Sequence, residues 1–484
     1  MLFTKKKRDR RSAWGYNFDW TSDHLTPEQL RPLMFSYDVL ATESLDRLDK
    51  LSPAPPSTTT TTTATTTTGG DNDEKPPRCH RDLCALLEQH APEDETLNRL
   101  WTEVTTVPAW VDWAQIARGQ KVFYRYAGPS VVALTFHSLL GGMGSRRVVE
   151  TLARTGGFGV HVARRRLLET FQHILDVTQS LASIQPGGAG FKSSIQVRLL
   201  HASVRRRILR LAHAQPCYYD TASLGVPIND LDSIATVLTF SATLLHMGFP
   251  RQGIVPTAGE GADYLALWRY VAHLLGTPTD GALSTPARAE AMMESLLAAE
   301  IAPTATSQRL AGNIIAGLQN TPPTFASADF LRAEAYWLNG HRLAAALALP
   351  RPPWYYTLLV AGQCLVFMAL CYAKRAVPAW DEASIRRLRV RMRALTLDLT
   401  DHQEATHTFQ YVPSLGFTAA EEEEEEEEGG DVKDGAQSRL WRRRRRMGTV
   451  ERRNLNAVLV AAALVGGMAW LGLRSVSASS LFYI

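Results

Sequence analysis

A chain of 484 residues with 45% hydrophobic and 21% charged residues has enough apolar sequence for a sizeable core, which excludes a wholly disordered or collagen-like polymer. The formal net charge of +4 is too small to argue anything by itself, and no nucleic-acid partner is expected. Five cysteines (Cys79, Cys84, Cys217, Cys364, Cys371) form no CxxC pair and are odd in number, which argues against a disulfide framework and for a reducing compartment.

In chain order, residues 1–51 begin with a basic cluster, Lys5 to Arg11, followed by aromatic residues, with no apolar signal-peptide run behind the charges. The cluster reads as solvated, and Leu25 to Leu48 as a short helical segment. Residues 52–77, SPAPPSTTTTTTATTTTGGDNDEKPP, have almost nothing to bury and are expected to be a disordered linker. From 78 to 400 apolar residues recur every three or four positions. That spacing predicts helices over Val160–Ile184, Lys192–Ala212, Asp230–Met247, Ala262–Leu275 and Ala287–Glu300, separated by glycine and proline clusters such as QPGGAG at 185–190. Strand-like alternation is scarce, so the domain is expected to be all-α with eight or more helices. The uncharged run 354–372 could span a bilayer by length, but Gln363 in its middle favours core or interfacial packing.

Residues 401–454 turn acidic, with eight glutamates at 421–428, and then basic. Residues 455–473, LNAVLVAAALVGGMAWLGL, carry no charge and predict a single C-terminal transmembrane helix, leaving a short tail, 474–484. Eight arginines precede it and Arg474 follows, so the positive-inside rule places the domain in the cytosol as a tail-anchored protein. The endoplasmic reticulum is the first expected membrane and the mitochondrial outer membrane the second.

Within FKSSIQVRLLHASVRRRILRLAH (191–213), Val197, Leu200, Val204, Ile208 and Leu211 make one helical stripe, and His201 falls on it. A histidine facing a core needs a partner, either an ordinary hydrogen bond or a metal that takes neutral imidazole. HExxH, GxSxG, P-loop and dinucleotide-binding motifs are absent.

The string VRLLHASVR, followed by GVPINDLDSIATVLTFSATLL and DYLALWRYVAHLLG, resembles the rubber oxygenase or latex-clearing protein family, which includes fungal membrane-bound oxygenases of the mycophenolic acid pathway type. The likeness runs from about Val107 to Gly276, with a weaker continuation through Pro350 to Cys371. It implies an all-α, globin-like haem domain binding haem b, with His201 as proximal iron ligand. Arg205, one turn on, matches the family's supporting arginine and would orient His201 or bind a propionate. Where the family has a distal lysine followed by threonine, this chain has Arg154 and Thr155, and an upstream arginine is replaced by Thr151. Guanidinium stays protonated and is a poor iron ligand, so iron is expected to be five-coordinate or water-bound. Arg154 would stabilise bound oxygen or pair with Glu150 or Glu169, and Thr155 would position oxygen or cap a helix. His137 and His161 are further candidates for the sixth ligand, whereas His173, His246 and His273 are expected on helix flanks or the surface.

These expectations amount to a membrane-anchored haem-dependent oxygenase that cleaves a C=C bond of an apolar olefinic, isoprenoid or lipid substrate with O2. A haem mono- or peroxygenase and a non-enzymatic helical membrane adaptor are the alternatives.

Overall fold

A computed structural model describes residues 9–53, 81–156, 158–400 and 448–463, without the side chain of residue 161. The expected linker and acidic segments, and the end of the expected transmembrane stretch from 464, lie almost entirely outside the described residues.

The chain opens with a hairpin, β1 (Asp9–Ala13) paired antiparallel with β2 (Tyr16–Trp20). Trp14 and Gly15 both take positive φ, the geometry of a tight two-residue turn. Part of the basic cluster is therefore structured rather than merely solvated, with the Arg11 guanidinium 3.6 Å from the centre of the Trp20 ring. The hairpin is the sole sheet among the described residues. Next comes His24, buried, its Nε2 2.7 Å from Glu294. The helix expected over 25–48 is two short turns followed by α1 (Val39–Leu51), capped by Asp38, whose carboxylate accepts from Ala41 N. Leu45 and Leu48 enter the same core as the central helices, so residues 9–51 pack as part of the helical body.

The remaining helices are α2 (Leu83–His90), α3 (Glu95–Thr105), α4 (Trp113–Arg125), α5 (Ala127–Leu140), α6 (Arg146–Arg154), α7 (Val160–Thr178), α8 (Ala189–Ala214), α9 (Asp230–Phe240), α10 (Ala258–Leu274), α11 (Pro286–Ala299), α12 (Ala305–Leu318), α13 (Ala328–Ala346), α14 (Trp354–Ala376) and α15 (Pro378–Leu399). Asp82, Asp94 and Asp112 start α2, α3 and α4 by accepting from free backbone N–H groups, which explains three boundaries at once. A last helical stretch covers 449–463.

Two predicted helices are broken. The one expected over 160–184 ends at Thr178, because Ser180 turns extended and caps a separate turn, Leu181–Ile184. The one expected over 230–247 breaks at Ser241 and resumes as a π-helical turn, Leu244–Gly248. A third break matters for the site: inside α13 Gly340 has φ 76°, a conformation that favours glycine. The kink takes the Leu338 carbonyl out of the helical ladder and leaves it to side chains.

The large core joins α1–α4 and α8–α11, and a second cluster joins α5, α6 and α12–α14. Close crossing of α4 on α10 requires a glycine: a Cβ at Gly119 would lie 2.2 Å from the Asp263 carbonyl oxygen. Backbone cannot retreat as a side chain can, so Gly119→Ala should destabilise by about 1–3 kcal/mol despite alanine's better helix propensity. Urea denaturation tests this, and a neutral or stabilising result would show that the two helices can move apart freely.

Candidate active site

Between the two clusters lies a cavity of about 790 Å³, within the usual range for small-molecule sites. Its walls come mainly from apolar side chains of both clusters, among them Leu134, Trp268, Leu296 and Leu331. His201 is on the wall.

The first part of the stripe read from the sequence of α8 belongs to this wall, with Val197, Leu200, His201 and Val204 lining the cavity, whereas Ile208 and Leu211 pack in a small cluster with Tyr218, Tyr219 and Leu224. A second face of the same helix, Ile195, Arg198, Leu199, Ala202 and Arg205, is also buried in protein. The arginines conceal that face from a periodicity argument, because each is buried only by virtue of its partners. Arg198 forms an ion pair with Asp38 at 2.6 Å, and Arg205 donates to the carbonyls of Asp38, Pro227 and Ile228 and to the Thr42 hydroxyl.

His201 is largely buried in protein, and the surface it keeps open is on the cavity wall. Burial, reinforced by the charge of Arg205, pushes its pKa down to about 4, so the ring is neutral at physiological pH. Among the described residues it makes no hydrogen bond. A neutral imidazole with unengaged nitrogens on the wall of an apolar cavity is what an iron porphyrin requires of one axial ligand, so the haem expected from the resemblance fits here. A metal held by side chains alone does not, since no group of three His, Cys, Asp or Glu side chains converges among the described residues.

His137 on α5 also lines the cavity. Its Nδ1 lies 2.7 Å from the Leu338 carbonyl released by the kink at Gly340, and a carbonyl can only accept. Burial, helped by the charge of Arg251, holds the ring neutral with a pKa of about 3, so the lone pair is on Nε2. His173 corrects the sequence expectation: it is buried, bonded to the Ser193 hydroxyl, and on the cavity wall, because α7 is covered on both sides by neighbouring helices. His246, on the flank as expected, is half-buried and pairs with Glu290 at 3.0 Å. His273 is only partly buried and packs edge-on against Trp110.

Arg154 and Arg205 do not line the cavity, contrary to the parts expected of them. Arg154 Nη1 pairs with Glu150 at 2.7 Å, one of the two arrangements expected, and its Nε donates to the Tyr218 carbonyl at 2.6 Å. Its Nη1 is committed one turn back and its Nε to the 218 loop. Arg154→Gln should therefore cost about 1–2 kcal/mol of stability in urea titration while leaving the cavity chemistry, read by absorption spectrum and turnover, unchanged. Loss of turnover in a stable Arg154→Gln chain would restore a direct role. Arg205 is a tie between α8 and the start of α1, with four of its five N–H groups engaged in hydrogen bonds. Thr155 does line the cavity, but its hydroxyl donates to the Leu152 carbonyl at 2.7 Å, ending α6.

Two charged features were missed. Arg147 bridges Asp232, at 3.0 Å, and Glu300, and both carboxylates border the cavity. Burial raises Asp232 to about 6 in spite of that arginine. Glu334 on α13 is buried, accepts from Gln363 on α14, and is pushed up by burial to about 8, which leaves it protonated at neutral pH. The signal was present: Glu334 sits between Phe330 and Leu338 at i+4 spacing, just as His201 sits on its stripe.

With this geometry in hand, residues 124–371 match the family model described as ER-bound oxygenase mpaB/B'/rubber oxygenase, catalytic domain. The chain belongs to this family. It is thereby an oxygenase by kinship, and the mostly helical fold agrees. The solved structure of latex clearing protein in its closed state is similar in fold, with a TM-score of 0.54 at 16% identity over 74% of this chain and 91% of that one. No curated protein matches the chain.

Proposed function

We propose that this oxygenase is haem-dependent and brings O2 to an apolar olefinic or isoprenoid substrate, breaking its C=C bond into two carbonyl groups. The balance needs no external reductant: one alkene and one O2 give two carbonyls. The observation that carries the reading is His201, a neutral ring with no hydrogen-bond partner among the described residues, on the wall of a large apolar cavity.

Haem bound at His201 would supply the activation of O2. The residues of the chain then do the rest. Arg205 and Arg198 fasten the back of α8 and so fix the histidine's place on the wall. The apolar lining takes up the hydrocarbon chain and keeps water out. Thr155 and the Nε2 of His137 are among the polar groups on the cavity wall, the Thr155 hydroxyl being held by the Leu152 carbonyl, and Glu334 holds a proton at neutral pH at the α13 wall. Residues 455–473 would anchor the chain in the endoplasmic reticulum membrane, where lipophilic substrates partition.

The test is an ultraviolet–visible spectrum of the full chain from haem-supplemented cells, followed by incubation with isoprenoid alkenes under 18O2. A Soret band and two labelled carbonyl fragments are expected. A product with one added oxygen and an intact chain would make the enzyme a mono- or peroxygenase, and a colourless folded protein would overturn the haem assignment.

A further inference from the structure

Helix α14 is the one helix among the described residues that is long and apolar enough to cross a membrane, yet 39% of its apolar window is buried. The buried part, including Leu359, Val360, Cys364 and Phe367, belongs to the protein core, so α14 cannot cross a bilayer as a free span. Its other face is apolar and exposes side chains on both sides of a single crossing helix. Trp354, Leu358, Leu365 and Ala369 are exposed at helical spacing, with Tyr372 closing the row, and Trp354 is 75% exposed. No charge interrupts the row until Lys374 and Arg375.

Gly362 lies on this same row, four residues after Leu358 and three before Leu365. There the helix at 449–463 crosses α14: a Cβ at Gly362 would lie 2.6 Å from the Asn454 carbonyl oxygen and 2.7 Å from Val458. Asn454 also donates to Gln363 at 3.3 Å. The crossing helix carries Leu459 and Val460 exposed and leads into the uncharged stretch ending at residue 473. Thus the most apolar run in the chain departs from the middle of the exposed apolar row. Gln363 and Val450, on the inner sides of the two helices, line the cavity.

We infer that the outer face of α14 is immersed in the lipid bilayer, lying along the interface beside the anchor, so that hydrophobic substrate reaches the cavity from the membrane at the crossing of α14 with the 449–463 helix. Aromatic residues at both ends and cations past the C-terminal end are the pattern of an interfacial helix. An exposed apolar patch of this extent needs a cover, and the first turns of the proposed anchor, Asn454 and Val458, rest against its centre at Gly362. The inference rests on the proposed anchoring and adds a second contact to it.

The experiment uses the full chain with Cys79→Ser and Cys217→Ser, since the other three cysteines are buried. Single cysteines replace Leu358, Leu365 or, as a control, exposed Glu93, and carry an environment-sensitive nitrobenzoxadiazole label in phosphatidylcholine–phosphatidylserine vesicles. A blue shift at 358 and 365, with most of the emission lost to doxyl-labelled lipid and the control unaffected, is expected. Water-like emission at 365 in a chain that floats with the vesicles overturns the inference but keeps the anchor. Blue-shifted emission that doxyl lipid cannot quench also overturns it and points to a protein cover such as a second copy. A chain that does not float with vesicles at all fails both readings.

Discussion

The His201→Ala protein is expected to emerge folded and without a Soret band. Alanine removes the proposed iron ligand and leaves the ties of α8 untouched, since Arg198 and Arg205 hold its opposite face. Loss of an axial ligand should weaken retention by at least ~100-fold, judged by the size of supporting-group effects alone. The pH dependence has a definite sign. The ring's pKa is depressed from 6.5 to about 4, so the neutral form persists from neutral into mildly acidic solution, and haem affinity is expected to begin falling only as pH drops below about 4. A haem-replete His201→Ala protein would overturn the assignment, and His137 would be the next ligand to test. Circular dichroism of the same sample separates loss of cofactor from loss of fold.

Glu334→Gln should make the protein more stable at pH 8 than its parent by on the order of 3–5 kcal/mol, with the difference vanishing near pH 4.5. Burial raises this carboxyl from 4.5 to about 8, against the opposing bond from Gln363. Between those values the folded chain keeps a proton that the unfolded chain has released. Its contribution is therefore full below 4.5 and is lost as pH rises toward 8. Glutamine keeps the acceptor for Gln363 and has no charge to desolvate, so the loss should disappear. Urea titrations of both proteins at pH 5 and pH 8 would show it. Equal pH profiles would mean that water reaches Glu334 and that the α13 wall of the cavity is wet.

Immersion of α14 would tie these readings together, because the helix that carries Gln363 inward to Glu334 carries Leu358 and Leu365 outward. One element then faces both the cavity and the membrane. A hydrocarbon substrate would need to cross only the crevice between two helices and would not need to pass through water.

The sequence by itself determined the helical character of the body, the positions of many helices, and the place of His201 on an apolar stripe, because periodicity and capping are local properties of neighbouring residues. It also exposed the departure at Arg154, since side-chain chemistry is written residue by residue. Only the tertiary structure decided that the His201 part of that stripe faces a cavity instead of packed protein, that Arg154 spends Nη1 on Glu150 and Nε on the 218 loop, and that His173 and Glu334 are buried. It decided, too, that a kink at Gly340 frees a carbonyl for His137, 201 residues away in sequence from Leu338. The physical reason is common to all of these: whether a polar side chain is buried, and in which protonation state, depends on partners brought from distant helices, and no spacing along one helix encodes them.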